Sequence, residues 1–77
     1  MHPLSSRQCA ALYWAARGKT AWETAVILGV SEQTVRMHRG DATIALHASN
    51  ITHAVAKAVA CGVIDLDGVD NMQPPRR

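Results

Sequence analysis

The sequence contains no phenylalanine, and aromatic residues make up only 4% of its 77 residues. Because aromatic rings bury the largest areas in protein cores, the core of this chain must be built from smaller side chains. The 48% hydrophobic content supplies them mainly as Ala, Val, Leu and Ile. A chain of this length is sufficient for one small domain, close to the size below which a single core becomes marginal.

The sequence also lacks long apolar runs and an export signal. No run approaches the roughly 20 apolar residues that a membrane-spanning helix requires. The first residues, MHPLSSR, show no charged region followed by an apolar stretch, which is the pattern of a secretory signal. We therefore expect a cytoplasmic protein that has neither a membrane partner nor a small-molecule ligand.

Residues with catalytic or metal-binding chemistry are few and poorly spaced. Cys9 and Cys61 lie far apart and form no C-x-x-C pair, so we interpret them as small apolar residues. His47 and His53 have no cysteine or carboxylate at the spacing of zinc ligands. The serines precede helical patterns, and no base is arranged to activate them. We expect no enzyme, no catalytic residue, no metal ion and no cofactor.

Charge of either sign is modest. The whole chain has a net charge of +2, and residues 65–77 carry three aspartates and two arginines, a net −1, so residues 1–64 are +3. This balance permits a polyanionic partner, although a strongly basic domain would make a better electrostatic case for one.

Capping patterns predict four helices. Four residues of the types that cap helix N-termini each precede a helical pattern: Ser5, Thr20, Ser31 and Asn50. The first two are followed three residues later by Gln8 and Glu23, which completes a capping box in each case. Gly18 and Gly29 are placed to end the first and second helices.

The segment AVAKAVA in the fourth helical pattern also alternates as a strand would. Its alanines and the capping Asn50 favour a helix, since alanine is a good helix former and a poor strand former. Residues 65–77 combine turn formers, three acids and a Pro-Pro pair. We predict a domain over residues 1–64 and a flexible, disordered tail over residues 65–77.

The second and third predicted helices, joined by Gly29-Val30-Ser31, have the form of a helix-turn-helix. Around this turn the sequence resembles the LuxR-type helix-turn-helix domain of bacterial transcription regulators, with tryptophans where the quorum-sensing branch often has them. The family pattern is approximately L-[ST]-x-R-E-x-x-x-L, then G-K-[ST]-x-x-E-I-A-x-x-L-x-[IV]-S, then T-V-[KR]-x-H-x-x-N-A-x-x-K-L. This sequence retains most of it: Leu4, Arg7, Leu12, Gly18, Lys19, Thr20, Glu23, Ala25, Leu28, Ser31, Thr34, Val35, Arg36, His38, Ala42 and Leu46. The match extends from residue 4 to about residue 64.

The resemblance implies an all-α domain of four helices that docks its third helix in the major groove and dimerises through its fourth. Most relatives carry a further N-terminal receiver or ligand-binding domain, for which this chain has no room. We therefore expect a stand-alone regulator, with an excised fragment as the other interpretation.

The resemblance also implies a set of DNA-binding residues at the start of helix 2 and on helix 3: Lys19, Thr20, Gln33, Arg36, Met37 and Arg39. Lys19 and Thr20 would hold the DNA backbone, while Gln33 and Arg36 would read bases. On a helical wheel Gln33, Arg36, Gly40, Thr43 and His47 share one face, and Val35, His38, Ala42, Ala45 and Leu46 share the buried one.

Several residues depart from the family pattern, mostly on the DNA-facing side. Gly40 stands where relatives usually have a basic or polar residue, Asp41 replaces an asparagine, and Ala45 replaces a lysine. Ile51 replaces a frequent arginine, and Thr24 replaces the isoleucine of E-I-A. Each lost phosphate contact weakens the electrostatic part of DNA binding.

Two functions therefore remain open. The first is a dimeric regulator that binds double-stranded DNA. The alternative is an antiactivator without a DNA role, which would sequester a LuxR-type activator in a heterodimer. Either would use an apolar stripe on helix 4 as a homodimer or heterodimer interface, although half of that stripe could cover the core: Val55, Ala58, Val59 and Gly62.

Two further interpretations concern residues outside this set. His38 is expected to be a packed, structural histidine, because it falls on the buried face of helix 3. Trp14 is expected to complete the core, whereas Trp22, near the start of helix 2, is the best candidate for an exposed aromatic residue.

Overall fold

A computed structural model describes residues 4–64, which form four helices and no strand. The helices are α1 (Ser6–Ala16), α2 (Ala21–Leu28), α3 (Glu32–Ala45) and α4 (Ile51–Ala60). The predicted all-α, four-helix class is confirmed, including the helical state of AVAKAVA. The predicted tail over residues 65–77 lies outside the described residues, so the division of the chain at residue 64 stays a prediction.

The N-terminus of every helix is capped by the side chain that the sequence indicates. The side chains of the four capping residues accept from the backbone N–H three positions further on, at 3.2 Å for Ser5, 3.0 Å for Thr20, 3.0 Å for Ser31 and 2.9 Å for Asn50. The boxes predicted for α1 and α2 are both closed by the returning glutamine or glutamate. Each cap satisfies an amide that the helix itself leaves unpaired.

Three of the helices, α1, α2 and α4, are followed by a glycine with positive φ, whereas α3 is followed by His47. Gly29 has φ of 71°, in the left-handed region that glycine adopts without strain, and it makes the turn between α2 and α3. His47 adopts the same conformation after α3, with φ of 55°. The N–H of Ala48 donates to the Thr43 carbonyl at 3.0 Å, which completes a Schellman motif around a non-glycine residue.

The core lies on one side of α3 and is built from small and aliphatic side chains. One cluster joins α1, α3 and α4 with the chain on either side of them, and its buried members are Leu4, Leu12, Ala42, Ala54, Ala58 and Ile64. A smaller cluster holds α2 against α3 through Ala21, Ala25 and Val35. Because alanines line these contacts, the helices approach closely without any large aromatic residue, as the composition predicts. No helix among the described residues is both long and apolar enough to span a membrane.

Candidate nucleic-acid interface

Helix α3 presents one face to the core and the opposite face to solvent. Val35 and Ala42 are fully buried, whereas Gln33, Arg36 and Met37 are exposed. The periodicity therefore predicts the orientation of this helix correctly. Since α3 is the second helix of the helix-turn-helix, its open face is the surface that could enter the major groove of a duplex.

Arg36 is the exposed cation at the centre of this face, and it is partnered by an acid. Its guanidinium donates to the Glu32 carboxylate one turn earlier, and both side chains are partly exposed, at 66% and 38%. An exposed pair of this kind contributes only about 0.3–0.5 kcal/mol, so Arg36 can exchange it for a base or a phosphate. Glu32 is not among the residues that the resemblance implies, although its spacing of four residues from Arg36 is a readable signal.

The start of α2 provides a second group of polar atoms. Lys19 and Thr20 are exposed. The Thr20 hydroxyl accepts from the Glu23 N–H at 3.0 Å, and the Glu23 carboxylate accepts from the Thr20 N–H at 2.8 Å. The capping bond uses only a lone pair of the Thr20 hydroxyl, whose hydrogen interacts with the Glu23 carboxylate and must turn away from it to reach an acceptor such as a phosphate oxygen. These residues lie where the positive end of the α2 dipole also favours an anion.

Hydrogen bonds from Thr20 hold Glu23 in its charged form. The backbone bond from Thr20, followed by the weaker effects of its side chain and of the Lys19 charge, lowers the pKa of the Glu23 carboxyl despite some desolvation. The reciprocal hydrogen bonds of the capping box therefore fix the conformation of the Lys19–Thr20 segment.

Arg39, which the resemblance places among the DNA-binding residues, directs its side chain towards α2. One nitrogen of its guanidinium donates to the Lys19 carbonyl at 2.9 Å and to the Thr24 hydroxyl at 3.3 Å. The side chain is half-buried, and its Nε has no hydrogen-bond partner within residues 4–64. Burial, reinforced by the nearby Arg36 charge, lowers the pKa of the Arg39 guanidinium. Sequence position alone groups Arg39 with the DNA contacts, but the structure turns it towards α2.

Beyond Arg36 the open face of α3 carries no further cation at the next turn. Gly40 and Asp41 are both exposed, and a Cβ built on Gly40 would meet no atom within 4 Å. The open face thus combines one arginine, three uncharged residues and an aspartate, which makes it only weakly attractive to phosphates.

The apolar stripe predicted on α4 divides between surface and core. Val59 is 40% exposed, and Val55 is half-buried against the core. Gly62 lies exposed just after the helix end. Ala58, in contrast, has no exposed area and belongs to the main cluster, so its assignment to a partner interface is corrected. Ala58 lies on the side of α4 that faces the core, and residue spacing alone does not distinguish that side from the outer one.

The remaining sequence interpretations concern aromatic and histidine side chains. Trp22 is 62% exposed, as expected, whereas Trp14 is only half-buried and lies edge-on to Tyr13 with 4.8 Å between ring centroids. His38 is half-buried with its Nε2 enclosed, beside a cavity of about 300 Å³. No group of three or more potential metal ligands occurs within residues 4–64.

These features define the class of helix-turn-helix modules. The turn joins α2 to a capped α3, the outer face of α3 is open, and polar groups lie at the start of α2. The family described as bacterial regulatory proteins, luxR family, matches residues 2–58. The chain belongs to this family, which is one of regulatory proteins rather than enzymes.

Curated relatives agree with this assignment. The chain is 52% identical over 63 residues to the quorum sensing-dependent transcriptional regulator RpaR of Rhodopseudomonas palustris. The match covers 82% of this chain and 26% of that protein. It is 39% identical over 62 residues to the transcriptional activator LuxR of Aliivibrio fischeri, covering 80% of this chain and 25% of that protein. The chain thus spans about a quarter of the length of these relatives.

A solved structure shows the same fold. The structure of the transcription factor GerE superposes with a TM-score of 0.80 and 24% sequence identity, and the match covers 87% of this chain and 100% of that chain.

Proposed function

We propose that this chain is a cytoplasmic transcription regulator that binds double-stranded DNA through the open face of α3. The observation that carries the proposal is the pairing of that face with the polar start of α2. The bonds from Arg39 to Lys19 and Thr24 hold the two elements side by side. The regulatory names of the relatives, which include quorum sensing-dependent regulators, support the same function.

Within this surface the residues divide into two roles. Lys19 and Thr20 bind the phosphate backbone and set the position of the domain on the duplex. Gln33 and Arg36 reach base edges, where the fork of Arg36 matches guanine O6 and N7, and Met37 supplies an apolar contact such as one to a thymine methyl group. Arg36 must leave Glu32 to do so, at small cost because the pair is exposed.

The active form in this proposal is a dimer, since two recognition helices are needed to meet two half-sites about one helical turn apart. The exposed Val59 and the half-buried Val55 of α4, continued by Gly62, supply its interface. Val59 is exposed whereas Val55 and Val63 are half-buried, which makes Val59 the residue to change first.

A second candidate function is favoured by the exposed Gly40 and Asp41, which leave half of the α3 face without a cation. In that alternative the chain is an antiactivator that forms a heterodimer with a LuxR-type activator through α4. The chain would then need the fold and the α4 surface, but not Arg36.

Arg36→Ala tests the first proposal. Loss of a bidentate base contact costs about 1–3 kcal/mol of discrimination, so affinity for a specific duplex should fall by roughly 5- to 150-fold. Arg7→Ala is the matched control, because it removes the same charge from α1, where Arg7 is exposed. Affinity is measured by fluorescence anisotropy, first on a generic duplex at low salt and then on a selected operator.

A cell-based reporter separates the two functions. Under the DNA-binding proposal Arg36→Ala abolishes regulation, whereas under the antiactivator alternative it leaves regulation intact. Val59→Glu should abolish regulation in both cases, so it tests the interface alone. Full regulatory activity of Arg36→Ala would reject the DNA-binding proposal.

A further inference from the structure

Thr24 is the only buried polar side chain within residues 4–64, and it has no exposed area. Its hydroxyl donates to the Thr20 carbonyl at 2.8 Å and accepts from the Arg39 guanidinium at 3.3 Å. A single hydroxyl can make both bonds, because it has one hydrogen and two lone pairs. A buried hydroxyl without such partners would destabilise the fold, so the two bonds account for a polar residue at this position.

Arg39 connects this hydroxyl to the chain segment before α2. The nitrogen that donates to Thr24 also donates to the Lys19 carbonyl at 2.9 Å, across twenty positions of sequence. We call the Arg39 guanidinium, the Thr24 hydroxyl and the Lys19 carbonyl the Arg39 latch. It joins the middle of α3 to the segment that contains Lys19 and Thr20.

We propose that Arg39 is a positioning residue for DNA binding rather than a DNA contact: the latch fixes the spacing between the open face of α3 and the Lys19–Thr20 segment. This inference rests on the proposed DNA-binding function and assigns a role within it. If both parts are to meet one duplex together, their spacing must be set before binding, since ordering them during binding would subtract from affinity.

Breaking the latch has a cost that weighs against Arg39 as a phosphate ligand. If the guanidinium left α2 for a phosphate, the Lys19 carbonyl and one lone pair of the buried Thr24 hydroxyl would lose their charged donor. Hydrogen bonds to charged groups are among the stronger ones in proteins, whereas the exposed Arg36 gives up only a solvent-exposed ion pair. The lowered pKa of Arg39 reflects the same partial loss of water around its charge.

The test uses Thr24, because a fully buried side chain has no means of touching DNA. Thr24→Val keeps the shape and removes the hydroxyl, while Thr24→Ser keeps the hydroxyl and serves as the matched control. Affinity for one duplex is measured by fluorescence anisotropy over a salt series, for these variants, for Arg39→Met and for the double variant Thr24→Val with Arg39→Met. Circular dichroism fixes a temperature at which every variant is folded.

If the latch positions the two parts, Thr24→Val weakens binding about fivefold, the effect of one net hydrogen bond, without changing the salt slope. Thr24→Ser keeps wild-type affinity. Arg39→Met weakens binding with the slope preserved, and Thr24→Val adds nothing further in that background, since both changes remove the same connection.

Different results overturn the inference. If Arg39 binds a phosphate, Arg39→Met reduces the salt slope by about 0.9 and Thr24→Val leaves affinity unchanged. Equal affinity of Thr24→Val and wild type therefore rejects the latch alone. Failure of the wild-type protein to bind any duplex at low salt rejects the proposed function and the positioning role together.

Discussion

Gly40 interrupts the middle of α3 with the residue that is least favourable to a helix apart from proline. A Cβ at this position would meet no atom within 4 Å, and Gly40 does not have a positive φ. Gly40→Ala should therefore add about 1 kcal/mol to the free energy of unfolding. For a domain of this size that gain corresponds to a rise in Tm of about 4–8 °C.

Urea and thermal unfolding followed by circular dichroism measure the effect, and Gly62→Ala provides the control. A Cβ at Gly62 would also meet open space, but its φ is 78°, where a side chain is strained. The same chemical change should therefore lower stability there, by about 1–2 kcal/mol. If Gly40→Ala fails to stabilise the protein, or if both variants gain stability alike, the reasoning from backbone conformation and open space is refuted.

Three further changes test other parts of the structure. His47→Gly should raise the free energy of unfolding by about 1 kcal/mol in urea titrations, because His47 has φ of 55°; lower stability would show that its imidazole matters more than its backbone. Glu32→Gln should strengthen binding to a generic duplex at low salt, because it frees Arg36 and removes a negative charge; unchanged anisotropy curves would contradict this. Glu23→Gln should flatten the acid limb of the stability–pH profile. Because the folded-state pKa of Glu23 is depressed, the contribution of its carboxylate to stability is complete above the ordinary pKa of 4.5 and is lost as the pH falls through the lower folded-state pKa. Parallel wild-type and variant profiles would refute this prediction.

The fold was predictable because its signals are local. A cap such as Ser31 and the turn glycine Gly29 act over three or four residues. The burial of Val35 beside exposed neighbours follows from the helical repeat alone. These signals agree with one another, which is the condition under which a sequence specifies one structure.

The candidate site was predictable only in part, because some of its contacts are not local. The wheel places Arg36 outside correctly, but it gives no indication that Arg39 faces the Lys19 carbonyl, which lies twenty positions away in the chain. Similarly, the stripe on α4 contains Ala58, and only the packing of α4 against α1 and α3 places that residue inside. Whether a polar side chain serves the surface or the interior depends on the partner that the fold brings opposite it.

Nothing around Gly40 requires a glycine, and the residue costs the helix about 1 kcal/mol relative to alanine. The fold therefore gains nothing from it, and any advantage must come from the absence of a side chain on the open face of α3. If that absence lets the DNA backbone or a base approach closely, Gly40→Ala will weaken operator binding while it stabilises the domain. If the face has lost a contact instead, Gly40→Ala will leave binding unchanged, and Gly40→Arg will strengthen it and steepen the salt slope by about 0.9.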